Sequence, residues 1–188
     1  MRPFRQFSEE SQKVGDAFLF EEMPAVSSAP VGVLRKFNAK EHLFLEGDHR
    51  RHAFEIVSGA VAVHRIQADG RRQVCRFALP GQHISLGWEA CEPSSAVATC
   101  ETVVLARSIT SVRRAALQHD QIAQWLGARL ADELAEISDL VRIMAFGDAL
   151  ERVAAFVQHL DQRIGSGGPP SVIDLPMNRS DIGDHLGL

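Results

Sequence analysis

The chain has 188 residues, of which 45% are apolar and 23% charged, with a net charge of −4. These values suit one compact domain with a tail, or two smaller domains, and exclude a disordered or collagen-like chain. No uninterrupted apolar run approaches the ~20 residues of a membrane-spanning helix, so no membrane partner is expected. Cys75, Cys91 and Cys100 have no CxxC spacing. They suit reduced thiols rather than a disulfide framework or a cysteine-held zinc or iron–sulfur site. The first residues, MRPFRQFSEESQ, lack the apolar stretch and cleavage site of a secretory signal; a cytoplasmic location is expected.

Residues 1–30 scatter Phe4, Phe7, Val14, Phe18 and Leu19 at loosely helical spacing and end in Pro24, Ser27, Ser28 and Pro30. A peripheral arm or short helix is expected there. Residues 31–111 carry short apolar runs: Val31–Phe37, Leu43–Leu45, Phe54–Val57, Val61–Ile66, Val74–Leu79 and Thr102–Ala106. Gly47, Gly59, Gly70, Gly81 and Gly87 punctuate them, as in a β-barrel or sandwich. Asp69-Gly70 between two runs predicts a hairpin with a type I′ turn.

The period then changes. Ala123, Gly127, Leu130, Leu134, Ile137, Val141 and Met144 follow a 4-3-4-3 spacing, the a/d pattern of paired helices. Ile122, Trp125 and Leu126 add a second stripe able to pack on the β-domain. One helix over 112–146 would be ~50 Å long, too long to bury both stripes against its own domain. A second copy of the same helix is the economical partner, with Leu130, Leu134, Ile137, Val141 and Met144 at the interface. The other arrangement is a long surface helix packed within one chain.

Residues 147–188 begin anew, with Asp148 and Glu151 spaced as a capping box. Leu150, Val153, Val157, Leu160 and Ile164 would form one apolar helix face. Gly165–Pro170 reads as a loop and Val172–Leu175 as a short strand. Asn178 is a good N-cap for a helix from Arg179 to Leu186. In a helix-turn-helix, Ile182 and Leu186 would take the apolar positions of the first helix. Gly183 would stand at the helix crossing, Gly187 at a left-handed turn and Leu188 just after it. The same spacing fits any short helix ended by glycine. The recognition helix would occupy the ten or so residues after Leu188. Arg179 is a candidate phosphate contact at a helix N-terminus.

The order of parts resembles the CRP/FNR family of bacterial transcription regulators. The likeness is carried by Phe44-Leu45-Glu46-Gly47-Asp48, Phe54–Val61, Asp69–Val74 and Leu79-Pro80-Gly81-Gln82, and by Leu175–Ile182 with Leu186-Gly187-Leu188. The C-terminal residues resemble the winged helix-turn-helix start of the FNR and FixK branches. The resemblance implies an α+β architecture: a cyclic-nucleotide-binding-like β-roll, a long dimerisation helix and a partial winged helix-turn-helix. It implies a homodimer that binds promoter DNA in a full-length form and engages RNA polymerase, and control of genes that respond to low oxygen. Asn178, Arg179 and Ser180 become the expected DNA contacts, and Gly87, Trp88, Ser94 and Ser95 the effector-pocket candidates.

Cyclic-AMP-binding relatives place an arginine just before a Ser/Thr-Ala pair. Here Ser95-Ala96 is present, but no lysine or arginine occurs between Arg76 and Arg107. Glu89 and Glu92 would repel a phosphate, so no cyclic AMP response is expected. No cysteine precedes Cys75, against an FNR-type iron–sulfur cluster. His42, His49, His52, His64 and His83 are possible haem or metal ligands, but the arginines in His49-Arg50-Arg51-His52 disfavour a cation. No cofactor or metal is expected. Arg76 beside Cys75 would favour a thiolate, whereas burial would leave an inert thiol. There is no His-x-His pair, Gly-x-Ser-x-Gly elbow or phosphate-binding glycine loop, so no enzyme is expected. The alternative to a regulator is a small-ligand sensor or interaction module of the same roll type without a DNA role.

Overall fold

The computed structural model describes residues 23–24, 30–164 and 174–188. The expected arm, except Met23, Pro24 and Pro30, lies outside the described residues. So do the Gly165–Pro170 loop and residues 172–173 of the expected strand; Asp174 and Leu175 are not in a strand.

Eight strands form the β-domain: β1 (Val33–Phe37), β2 (His42–Phe44), β3 (His52–Ser58), β4 (Val61–Ile66), β5 (Arg72–Ala78), β6 (His83–Ile84), β7 (Ser95–Ala98) and β8 (Thr102–Ser108). They make two four-stranded sheets, ordered β1-β8-β3-β6 and β2-β7-β4-β5, with every neighbouring pair antiparallel. Six strands fall on the apolar runs read from sequence; β6 and β7 do not. Between the sheets, Phe37, Phe54, Ile56, Ile84 and Val104 interdigitate with Ala78, Ala96, Ala98 and Ala106. Large against small side chains fill the narrow space of a closed roll.

The β4–β5 hairpin forms, but its turn differs from type I′. Gly70 has φ 82°, whereas Asp69 is not among the residues of positive φ. Gly70 N donates to Gln67 O at 2.9 Å and Gln67 N to Arg71 O at 2.8 Å. The loop is one residue longer than a two-residue turn allows, so only the glycine takes the left-handed backbone. Cys75 is the extra residue of a bulge in the same hairpin, because Val63 pairs with Arg76 and His64 with Val74.

The expected single helix over 112–146 is two: α1 (Ile109–Gln118) and α2 (Asp120–Met144). His119 separates them in an extended conformation, φ −137° and ψ 113°. Neither proline nor glycine causes the break. It turns Ile109, Val112 and Ala115 of α1, and Ile122, Trp125 and Leu126 of α2, onto one patch of the roll with Ala53 and Leu86. A continuous rod would aim these two sets differently, so packing decides. The 25 residues of α2 span ~37 Å rather than ~50 Å.

Helix α3 (Ala149–Ile164) starts where Asp148 Oδ1 accepts from Leu150 N at 2.7 Å. Its buried stripe is Phe156 and Leu160, with Val153 packed beside them. Leu150 and Val157, expected on that stripe, are exposed. Helix α4 (Arg179–Leu186) completes the described fold.

Candidate effector pocket and DNA-binding unit

Helix α4 sits on β5, the edge strand of the second sheet. Arg72 Nη1 reaches Asp181 Oδ1 at 2.6 Å and Asp184 Oδ2 at 3.1 Å. Gln73 Nε2 donates to Asp184 O at 2.8 Å. Ala60, Ala62, Val74, Phe77 and Leu79 of the roll share one core with Ile143, Phe156, Leu160, Met177 and Leu186. An edge strand is thereby covered, and the C-terminal segment is fixed to the roll by apolar and ionic contacts.

His185 lies inside this interface. Its Nδ1 donates to Val74 O at 3.0 Å, and its ring centroid is 5.0 Å from Phe77 and 5.1 Å from Phe156. Burial is the main cause that holds its pKa below the usual 6.5; the Val74 carbonyl opposes this, and His159 adds repulsion. His64 and His159 are lowered too, chiefly by burial and then by Arg72 and Arg163 respectively. As pH falls, the unfolded chain takes up these protons first. The stability is therefore present above about pH 6.5 and is lost below it. Thermal melts are expected to fall between about pH 7.5 and 5.5. The slope is expected to flatten in His185→Asn, whose amide still reaches Val74; an unchanged slope would count against this role.

Asn178 caps α4. Its Oδ1 accepts from Asp181 N at 2.9 Å, and Asp181 Oδ2 faces Asn178 N at 3.5 Å, a capping box. The amide oxygen of Asn178 is thus engaged within the helix, while Arg179 and Ser180 are exposed beside it. Asn178→Ala is expected to cost about 1 kcal/mol, read as a shift of the denaturation midpoint at unchanged slope. At the other end Gly187 adopts φ 64° and Leu188 N donates to Gly183 O at 3.0 Å. Arg152 Nη1 binds Leu186 O at 2.8 Å. Ile182 and Leu186 face the core as expected. Gly183 does not meet a crossing helix among the described residues: a Cβ there would meet only Leu188 O, at 3.8 Å.

The roll's effector candidates surround an arginine that sequence reading missed. Arg50, between β2 and β3, sends Nε to Glu92 Oε2 at 3.1 Å and Nη1 to Glu89 Oε2 at 2.8 Å. The side chains of Arg50 and Glu92 are each 3% exposed. Glu89 is held below the usual carboxylate range by its own backbone N–H and then by Arg50. Gly87 lies against this pair, and a Cβ there would collide with both Arg50 and Glu89. Trp88 lies under Arg113, whose guanidinium carbon is 5.3 Å from the ring centroid. Ser95 Oγ accepts from Glu46 N at 2.9 Å. Gly87 and Trp88 are thus beside the Arg50 cluster, Ser95 faces the β2 end, and Ser94 is half-buried.

A cleft of about 420 Å³ opens elsewhere, where the roll, α2 and α3 meet. Glu136 of α2 closes one side of it. It accepts from Arg76 Nη1 at 3.0 Å, Gln82 Nε2 at 2.5 Å and Arg163 Nη2 at 2.6 Å. One carboxylate joins all three bodies. Nearby, His83 stands edge-on to Trp125 at 5.0 Å and 84°. Glu55 beneath it has its pKa drawn to about 2, first by His83, whose Nε2 stands 3.7 Å from Oε2, and then by Arg107 at 2.7 Å.

On α2, Leu134 and Val141 are each 65% exposed, Ile137 44% and Met144 38%. Leu130 packs at the edge of the roll core. The exposed residues form one ridge facing away from that core. Met144 also touches α4, since its Cε lies 3.3 Å from where a Gly187 Cβ would be. The Cys75 thiol is pushed up by burial, and its charged neighbours are Arg65 and Glu46 rather than Arg76, in line with the buried-thiol reading of the two. Cys91 Sγ lies 3.9 Å from His49 Nδ1. Among the described residues, no group of three or more His, Cys, Asp or Glu could hold a metal ion, and no helix is long and apolar enough to cross a membrane.

The model of the cyclic nucleotide-binding domain matches residues 34–119, the roll with α1. The nitrogen fixation regulation protein FixK of Azorhizobium caulinodans is 32% identical over 171 residues, covering 88% of this chain and 67% of its own length. FixK of Rhizobium meliloti is 32% identical over 165 residues, covering 88% of this chain and 73% of its own. With the roll, the long helix and the capped α4 in place, the chain belongs to the CRP/FNR family of transcription regulators. Among solved structures it is similar to FixK2 from Bradyrhizobium japonicum. That structure matches at a TM-score of 0.77 and 32% identity, covering 84% of this chain and 78% of that one.

Proposed function

We propose that the chain is part of a homodimeric regulator that acts on promoter DNA, in contact with RNA polymerase, in the cytoplasm. The observation that carries the reading is the ridge Leu134, Ile137, Val141 and Met144, exposed on a helix whose opposite side is buried. Pairing along that ridge, with Leu130 at its roll-proximal end, sets two α4 helices at a fixed separation. DNA half-sites one turn apart, ~34 Å, demand such a separation. Asn178, Arg179 and Ser180 at the start of α4 meet the phosphate backbone, while Ile182, Gly183, Leu186, Gly187 and Leu188 form the scaffold behind them. Cyclic AMP is not the signal, because the arginine that would hold its phosphate is absent before Ser95-Ala96.

Sedimentation of the chain and electrophoretic shift of promoter fragments test the reading together. A concentration-dependent dimer whose DNA affinity falls in Arg179→Ala supports it. A dimer whose affinity for every fragment ignores Arg179 would instead favour a sensor module of the same roll.

A further inference from the structure

We propose that the roll carries a buried anion site built on Arg50 and Ser85, and that its ligand is the chain's own Glu92 carboxylate in place of a diffusible effector. The inference rests on the reading of the roll as the regulator's sensor. A guanidinium and a hydroxyl converging on one carboxylate are the donors that a phosphate or carboxylate ligand takes. Here Glu92 Oε2 receives Arg50 Nε at 3.1 Å, and Oε1 receives the Ser85 hydroxyl in a short contact. Ser85 has φ 63°, in the left-handed region that non-glycine residues avoid. Such backbone clusters at ligand clamps. The arginine comes from the β2–β3 connection, not from the stretch before Ser95-Ala96, so this is a differently built site.

The segment is wrapped to hold the pair. Arg50 N donates to Ala90 O at 2.9 Å, and Glu92 N to Asp48 O at 2.9 Å. Arg113 Nη2 binds Gly87 O from α1. A carboxylate fixed in this way is present at an effective concentration that a free anion does not match. Expelling it would leave the buried Arg50 with the exposed Glu89 as its remaining carboxylate partner. The expected behaviour is a roll indifferent to anionic effectors at this site until the carboxylate is removed.

The test compares the wild-type chain with Glu92→Ala and Arg50→Met/Glu92→Ala, using acetate, inorganic phosphate and cyclic AMP as probes against matched chloride. In Glu92→Ala, acetate or phosphate is expected to raise Tm by about 3–6 °C at roughly tenfold excess over Kd. The wild type and the double variant are expected not to respond. Should Glu92→Ala be unfolded in chloride, acetate or phosphate is expected to restore folding. A Glu92→Ala variant that neither anion stabilises or refolds overturns the proposal. So does saturable binding of phosphate or cyclic AMP to the wild type that is lost in Arg50→Met. Acetate and phosphate report on the roll alone, so a failure here is separable from a failure of dimerisation or DNA binding.

Discussion

With Leu134 and Val141 both changed to glutamate, the chain is expected to sediment as a single 20.7 kDa copy at concentrations where the wild type is twice that mass. Both side chains are 65% exposed on α2, so the substitutions leave the fold of one copy intact. Across two copies, burial of the exposed part of these four side chains contributes on the order of 4–8 kcal/mol before the cost of association. Glutamates forfeit that burial and set like charges against each other. DNA affinity is expected to fall with it, since each half-site is then bound alone. A double variant that still sediments at the wild-type mass would remove the ridge from the interface.

Phe156→Ala is expected to cost about 3–5 kcal/mol of stability. Phe156 is 2% exposed and faces Phe77, at 6.1 Å between centroids, and His185. The loss removes one of the two buried side chains, Phe156 and Leu160, that α3 contributes to the shared core of roll and α4, so α4 is expected to loosen first. Amide exchange in α4 is expected to rise more than in β3 or β8, whose core lies on the other face of the second sheet. Equal loosening everywhere would show that the two bodies unfold as one.

Much of the roll was legible because its strands obey alternation. Val61 and Ala62 divide between inner and outer cores as the period of two requires. Strand β7 was not legible: Ser95-Ala96-Val97-Ala98 has low strand propensity, and its alanines are there because the two sheets close tightly over them. The break at His119 has no local signal, since it arises from a roll surface that both helices must reach. In α3 the apolar face was read along Leu150, Val153, Val157, Leu160 and Ile164; the core keeps Val153 and Leu160 but is turned toward Phe156, away from Leu150 and Val157. The ends of α4 were the most readable part of the site, because capping chemistry is local. Arg50 lay beyond sequence reading for the opposite reason. Its partner Glu92 is 42 residues away, and only the antiparallel closure of the roll brings them together.

The extended residue His119 gives α2 a pivot at its roll-proximal end. A swing of about 10° there would carry the far end of a ~37 Å lever sideways by about 6 Å, nearly two base-pair steps of ~3.4 Å. Any such tilt strains the contacts by which Glu136 of α2 holds Arg76, Gln82 and Arg163. In a paired regulator, the separation of the two α4 helices would then follow from one backbone joint and one carboxylate.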